Sequence, residues 1–267
     1  MDIGTAKPDS DEQSRISFHL LNLTTPDRQF TVAEWKSQAE TAISNIIARG
    51  KRPIICGGTG LYIRALLDDW QLAETEADPA IRESLQLEAE QYGSQYLHQH
   101  LQKLDPVTAA RLHPNDAMRI IRALEVYRIT GQPISEYQQR DRLSQRQRTA
   151  VRFGMTMPRP ELYQRIEQRV DAMIDLGFQE EVRALLAAGY GPDLGAMKSL
   201  GYKEMTQYLM GDLDLQTAIE TMKQNTRRFA KRQQTWFRAD KNITWFDVSG
   251  LNSATVAERL HAALNLE

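Results

Sequence analysis

Pro53-Ile-Ile-Cys-Gly-Gly-Thr-Gly-Leu-Tyr62 runs from an apolar tetrapeptide through a glycine-rich turn into a new helical pattern. The apolar run is too short for a helix and stops at Gly57-Gly58-Thr59-Gly60, which predicts a short buried strand with a turn at its carboxyl end. A helical period resumes over residues 61–67. Upstream, Thr31 followed three residues later by Glu34 forms a capping box, and Trp35, Ala39, Ala42, Ile43 and Ile46 mark one helical face that ends before Gly50. Helix, strand, turn and helix in this order predict an α/β fold with a parallel sheet, whose ligands sit at the carboxyl edge of the strands.

Further along, the pattern changes. Over residues 78–144 only helices are predicted, about four of them. Asp78-Pro79 and Asp105-Pro106 each place a capping acid before a first-turn proline, and Gly93 and Gly131 stand where helices should end. Residues 151–157 then have the composition of a strand. Helices follow over 160–176 and 178–188, closed by Gly177 and Gly189, then a long helix over 214–238, a strand over 243–248 and a last helix from Ser253. The parse is an α/β core interrupted by a helical insertion: a first core segment over residues 1–76, the insertion over 77–145 and a second core segment over 146–267.

The 267 residues are 41% apolar and 25% charged, enough to fill a core without disulfides or a structural metal. A lone Cys56 allows neither an intramolecular disulfide nor a cysteine-rich zinc site, and in a buried strand it reads as a core residue. The polar opening Met1-Asp2-Ile3-Gly4 is not a secretory leader, and no apolar run approaches the ~18 residues of a membrane span, so a soluble cytoplasmic protein is expected. Net charge is only −2, yet residues 223–238 carry Lys223, Arg227, Arg228, Lys231, Arg232 and Arg238 with no acid, so the rest of the chain stands at −8. Solvated helix faces interleave both signs, so an acid-free stretch points to a polyanion.

On a helix Arg227, Lys231 and Arg238 share one sector with Arg228 and Arg232 beside it, and Phe229 and Trp236, seven apart, form the opposite, anchoring stripe. Arg140, Arg142, Arg146, Arg148 and Arg152 make a second basic run against Asp141 alone. Arg119 and Arg122 share a face, and either contact a nucleic-acid backbone or pair with Asp116 and Glu125. The glycine turn lets a backbone approach a ligand, with the Thr59 hydroxyl beside it; equally, it is a plain tight turn. No Walker phosphate loop and no Gly-x-Ser-x-Gly elbow occurs, and the histidines lack metal-ligand spacing, His98 and His100 being two apart.

Taken together, Met1-Asp-Ile-Gly-Thr-Ala-Lys-Pro8, Gly57-Gly-Thr-Gly-Leu-Tyr62, His113-Pro-Asn-Asp116 with Arg119-Ile-Ile-Arg-Ala-Leu-Glu-Val126, Ser199-Leu-Gly-Tyr-Lys-Glu204 and Lys231-Arg-Gln-Gln-Thr-Trp-Phe-Arg238 resemble, in order, the bacterial tRNA dimethylallyltransferases, also called tRNA isopentenyltransferases. The resemblance spans essentially the whole chain. It implies transfer of a dimethylallyl group from dimethylallyl diphosphate, with Mg²⁺, to the exocyclic amine of the adenosine 3′ of the anticodon. It also implies a P-loop, nucleotide-kinase-like core, and a target base flipped into a channel.

Carried over by position, Thr59 is the hydroxyl lining the channel near the target base, and Lys198 is the cation for the diphosphate. Arg119, Arg122, Arg227, Lys231, Arg232 and Arg238 face the tRNA anticodon stem-loop. A monomer is expected. The family's Walker-type loop and its Asp-Ser-x-Gln-x-Tyr string, whose aspartate is the general base, precede the string that opens this chain. The first strand, phosphate loop and base are therefore expected to be missing and activity impaired. The alternatives are a non-catalytic tRNA-binding remnant, and a small-molecule kinase relative with an incidental basic face.

Overall fold

In a computed structural model, residues 1–68, 78–144 and 148–264 are described. They fall into two units, Met1–Gly60 with Ala150–Glu267, and Leu61–Thr149. The expected boundaries at 76/77 and 145/146 lie outside the described residues. The first unit opens with α1 (Ser10–Arg15) and α2 (Val32–Ala48). The second carries α3 (Gly60–Leu67), α4 (Pro79–Tyr92), α5 (Ser94–Leu104), the single-turn α6 (Pro106–Ala109), α7 (Ala117–Thr130) and α8 (Ile134–Ser144). The chain then returns to the first unit with β1 (Arg152–Thr156), α9 (Arg159–Asp175), α10 (Phe178–Ala187), α11 (Tyr202–Leu209), α12 (Leu215–Arg238), β2 (Ile243–Asp247) and α13 (Ser253–Leu264). No helix among the described residues is long and apolar enough to cross a membrane.

The protein is thus α/β, with a small parallel sheet and mostly helices. β1 and β2 pair from Arg152 opposite Ile243 to Thr156 opposite Asp247. Parallel neighbours require a crossover, which α9 to α12 provide. Phe153 and Phe246 meet edge to face at 5.2 Å, and Arg152 bonds Asp240 at 2.7 Å just before β2. That ion pair uses one arginine of the second basic run; the side chains of Arg140, Arg142 and Arg146 lie outside the described residues.

The strand expected at residues 53–56 does not form. Ile54 is 80% exposed and Cys56 is exposed, so neither is a core residue. A strand is held by ladder bonds along its edges, and among the described residues β1 and β2 pair only with each other, so this run joins no sheet. The capping box before it is real. Thr31 Oγ1 accepts from the Glu34 amide at 3.1 Å, and Glu34 accepts from the Thr31 amide at 2.8 Å.

In the helical unit Asp78 and Asp105 cap α4 and α6 as their prolines predict. Leu85, Leu97, Leu101, Ile120 and Leu124 close its core. His98 Nε2 lies 3.0 Å from the Ala109 carbonyl, while His100 stacks on Tyr96. The two imidazoles therefore serve packing on different sides.

The first unit is centred on Phe178 and Tyr202, crossed edge to face at 5.0 Å and fully buried with Val182, Met197, Met205 and Met222. The opening string of the chain is tied to this core by one carboxylate. Glu181 accepts the amides of Asp2 at 2.6 Å, Ile3 at 2.9 Å and Gly4 at 3.4 Å, and the Tyr202 hydroxyl at 2.5 Å. Burial alone would raise the Glu181 carboxyl, but these four donors outweigh it and hold the carboxyl below its usual range. Burial, with the bond to Glu181 second, drives the Tyr202 hydroxyl far upward. Gly4 has to be glycine, because a Cβ there would stand 2.6 Å from Tyr202 Cε2. Gly201, at φ +88°, begins α11, and Glu204 accepts its amide at 2.8 Å and the Asn225 side chain of α12 at 2.7 Å.

Candidate functional site

The glycine turn and the basic helix come together. Gln233 of α12 donates its side-chain amide to the Gly58 carbonyl at 2.9 Å. Three residues further on, one helical turn, the Trp236 indole lies against Gly60, where a Cβ would stand 2.8 Å from its Cε2 and closer still to Nε1. A polar hook and a flat ring, one turn apart on α12, therefore hold the turn. Both need a bare backbone, which is the physical reason for glycine at 58 and 60. Thr59 between them is exposed, and its hydroxyl makes no hydrogen bond among the described residues, so it does not cap α3.

These glycines should differ in mutational cost. A Cβ at Gly58 would meet the end of the flexible Gln233 side chain, which can swing aside for roughly the 0.5–1.5 kcal/mol of one hydrogen bond. At Gly60 the obstacle is a rigid ring, and Gly60→Ala is expected to cost about 1–3 kcal/mol. Denaturant midpoints with Trp236 fluorescence check this; equal losses would mean that the indole does not brace the turn.

The cations of α12 separate into two sets. Lys223 pairs with Asp171 at 2.7 Å and Arg227 with Glu167 at 2.6 Å, a ladder in which two cations four apart on α12 meet two acids four apart on α9. The hydrogen bond that Lys223 donates to Asp171 holds its ammonium above its usual range. Arg227, expected to face RNA, is thus engaged between helices, and the acids missing from residues 223–238 come from α9. The outer set is different. Arg228, Lys231 and Arg232, with Thr235 and Trp236, line a shallow hollow of about 440 Å³, and Arg238 is exposed. Lys231 and Arg238 have no ion pair among the described residues.

Phe229 and Trp236 do not form a stripe buried against the core, although Trp236 holds the glycine turn. They are 43% and 42% exposed, whereas the face buried against the core carries Ala218 and Met222.

The other sequence-predicted residues lie elsewhere. Lys198, in the connection before α11, is exposed and its ammonium has no partner among the described residues. In the helical unit the two open readings resolve toward ion pairs. Arg119 bonds Asp116 at 3.1 Å while remaining 72% exposed, and Arg122 bonds the buried Glu125 at 2.9 Å, sharing one oxygen with Arg82. The sequence does not single out Gln233, Glu181 or the α9 acids; only the proximity of Gln233 to Trp236 in one string hints at a joint role.

Comparison with known proteins decides what this assembly belongs to. Residues 1–240 match the family described as IPP transferase. The chain belongs to the IPP transferase family. Among family relatives, a tRNA dimethylallyltransferase of Desulforudis audaxviator is 51% identical over 260 residues, which is 97% of this chain and 83% of that protein. The full-length tRNA isopentenylpyrophosphate transferase of Bacillus halodurans superposes with a TM-score of 0.70 at 39% identity, covering 99% of this chain and 82% of that one. A eukaryotic dimethylallyltransferase, solved in crystallographic snapshots while acting on tRNA, superposes with a TM-score of 0.76 at 27% identity over 96% of this chain and 67% of that one. The IPP transferase match takes in the opening string, the glycine turn, Lys198 and α12.

Proposed function

We propose that this protein acts in tRNA modification as a dimethylallyltransferase, moving a dimethylallyl group from dimethylallyl diphosphate to the exocyclic amine of the adenosine 3′ of the anticodon. The observation that carries this reading is the docking of the glycine turn on α12 through Gln233 and Trp236, the second of which also lines the hollow of Arg228, Lys231 and Arg232. Lys231, Arg232 and Arg238 follow the phosphates of the anticodon stem-loop. In the helical unit Arg119 offers an exposed guanidinium to the same kind of partner, while Arg122 and Arg227 are taken up by the carboxylates that hold them and contact no phosphate.

In the transfer, the amine nitrogen bonds to C1 of the allyl group as the C1–O bond breaks, the electron pair leaves with the diphosphate, and the nitrogen gives up a proton. Lys198 is the cation that meets the growing negative charge of the diphosphate, an interaction that strengthens in the transition state. Thr59 orients the base. No residue of the chain is assigned as the acceptor of the proton. Mg²⁺ would supply further charge neutralisation at the diphosphate. Among the described residues, however, no three His, Cys, Asp or Glu side chains converge, so these residues do not fit a metal site by themselves and no step is derived through the ion.

Binding and transfer measured with each substrate in turn test the assignment. Thr59→Ala is expected to weaken the tRNA-dependent terms by about 1–3 kcal/mol and leave donor binding intact. Lys198→Ala should weaken donor binding and slow transfer without affecting the stem-loop. The same donor-side defect in both variants would contradict the two-sided arrangement. Stem-loop binding with no transfer would select a tRNA-binding protein over an enzyme.

A further inference from the structure

The sequence places Phe229 and Trp236 on one face of α12, and the structure leaves both rings near half exposed in the midst of the outer cations. The Arg232 guanidinium carbon stands 6.0 Å from the Phe229 ring centroid, and Trp236 shares its hollow with Arg228, Lys231, Arg232 and Thr235. Phosphates account for the cations. They do not account for the rings, because a phosphate gains nothing from an aromatic face. A flat, neutral, polarisable partner does, and the partner that carries flat faces at the spacing of a phosphate chain is a nucleic acid with its bases unstacked. A duplex hides those faces.

We propose that Phe229 and Trp236 form a stacking platform on α12 for unpaired bases of RNA, with Arg228, Lys231 and Arg232 following the backbone beside it. This rests on the RNA-binding reading given above and adds to it a selection for loop over stem. Phe229 carries the discriminating part of the platform, since Trp236 also braces the glycine turn through Gly60. Arg232, over the ring, orients Phe229 and strengthens its pairing with a base by cation–π contact.

The test is the affinity of the full chain for a stem-loop RNA and for the same stem as a blunt duplex, each at several salt concentrations. Wild type, Phe229→Ala and Phe229→Trp are compared. Phe229→Ala is expected to weaken stem-loop binding about tenfold with its salt slope unchanged, to leave duplex binding as it was, and Phe229→Trp is expected to restore the loss. Because Phe229 is not a core residue, its truncation should leave the melting temperature unmoved, so a fold defect is told apart. Equal losses on stem-loop and duplex, or no loss on the stem-loop, would overturn the platform while wild-type salt-dependent binding kept the RNA reading intact. Failure of wild type to bind either RNA in a salt-dependent way would overturn both.

Discussion

Replacing Glu181 by alanine is expected to lower the stability of the first unit by about 3 kcal/mol, because the half-buried carboxylate is the shared acceptor for four donors. Its loss strands the Tyr202 hydroxyl in the core and frees residues 2–4 from it, although Met1 and Ile3 pack there. The pH dependence follows from the sign of the shift. Glu181 has its folded pKa depressed below the usual 4.5, so its contribution is fully present above about pH 4.5 and is lost as pH falls through the lower folded value. Glu181→Gln retains the shape and loses the charge. Its stability at neutral pH should fall by less than that of alanine, and the wild-type loss on acidification should shrink. Denaturant midpoints near pH 7 and near pH 4 measure both effects, and a variant with undiminished acid sensitivity would contradict the role of this carboxylate.

Charge reversal at Lys231 and Arg232 together is expected to weaken stem-loop binding about a hundredfold while leaving melting within ~0.5 kcal/mol of wild type. Both side chains are exposed, so little folding energy rests on them. Reversal of Lys223 and Arg227 should do the opposite. Each would place a like charge against Asp171 or Glu167, separating α9 from α12, so the primary loss would be in stability. Titration of a labelled stem-loop beside melting curves distinguishes the two pairs.

Much of this architecture is legible in local chemistry. Asp78-Pro79 and Asp105-Pro106 cap helices because an acid before a first-turn proline satisfies the free amides there, and Thr31 with Glu34 does so reciprocally. Gly177 and Gly189 end helices at positive φ. What local chemistry misses depends on neighbours. An apolar run at 53–56 has the composition of a strand, but strand formation is decided by partners distant in sequence, and among the described residues none pairs with it. The short α11 is not visible in the sequence, because Tyr202 to Leu209 has only two turns of pattern and is held by Glu204 and by the Phe178–Tyr202 contact.

The site is half legible. The acid-free stretch of α12 announces a cationic face, yet periodicity within one helix cannot reveal that α9 supplies the acids for Lys223 and Arg227. The exposure of Phe229 and Trp236 escapes the sequence for a similar reason. Seven-residue spacing places two rings on one face without saying whether that face meets a core or solvent.

In the proposed reading, the outer cations of α12, beside the docked glycine turn, are the RNA face of this family member. Its most direct test is the slope of log affinity against log salt for a stem-loop, compared among wild type, the neutral double variant Lys231→Ala with Arg232→Ala, and the neutral double variant Lys223→Ala with Arg227→Ala. The predicted result is a slope lowered by about 0.7–0.9 for each phosphate contact removed in the outer pair and unchanged in the inner pair. A slope unmoved by loss of Lys231 and Arg232, or lowered only by loss of Lys223 and Arg227, would contradict it.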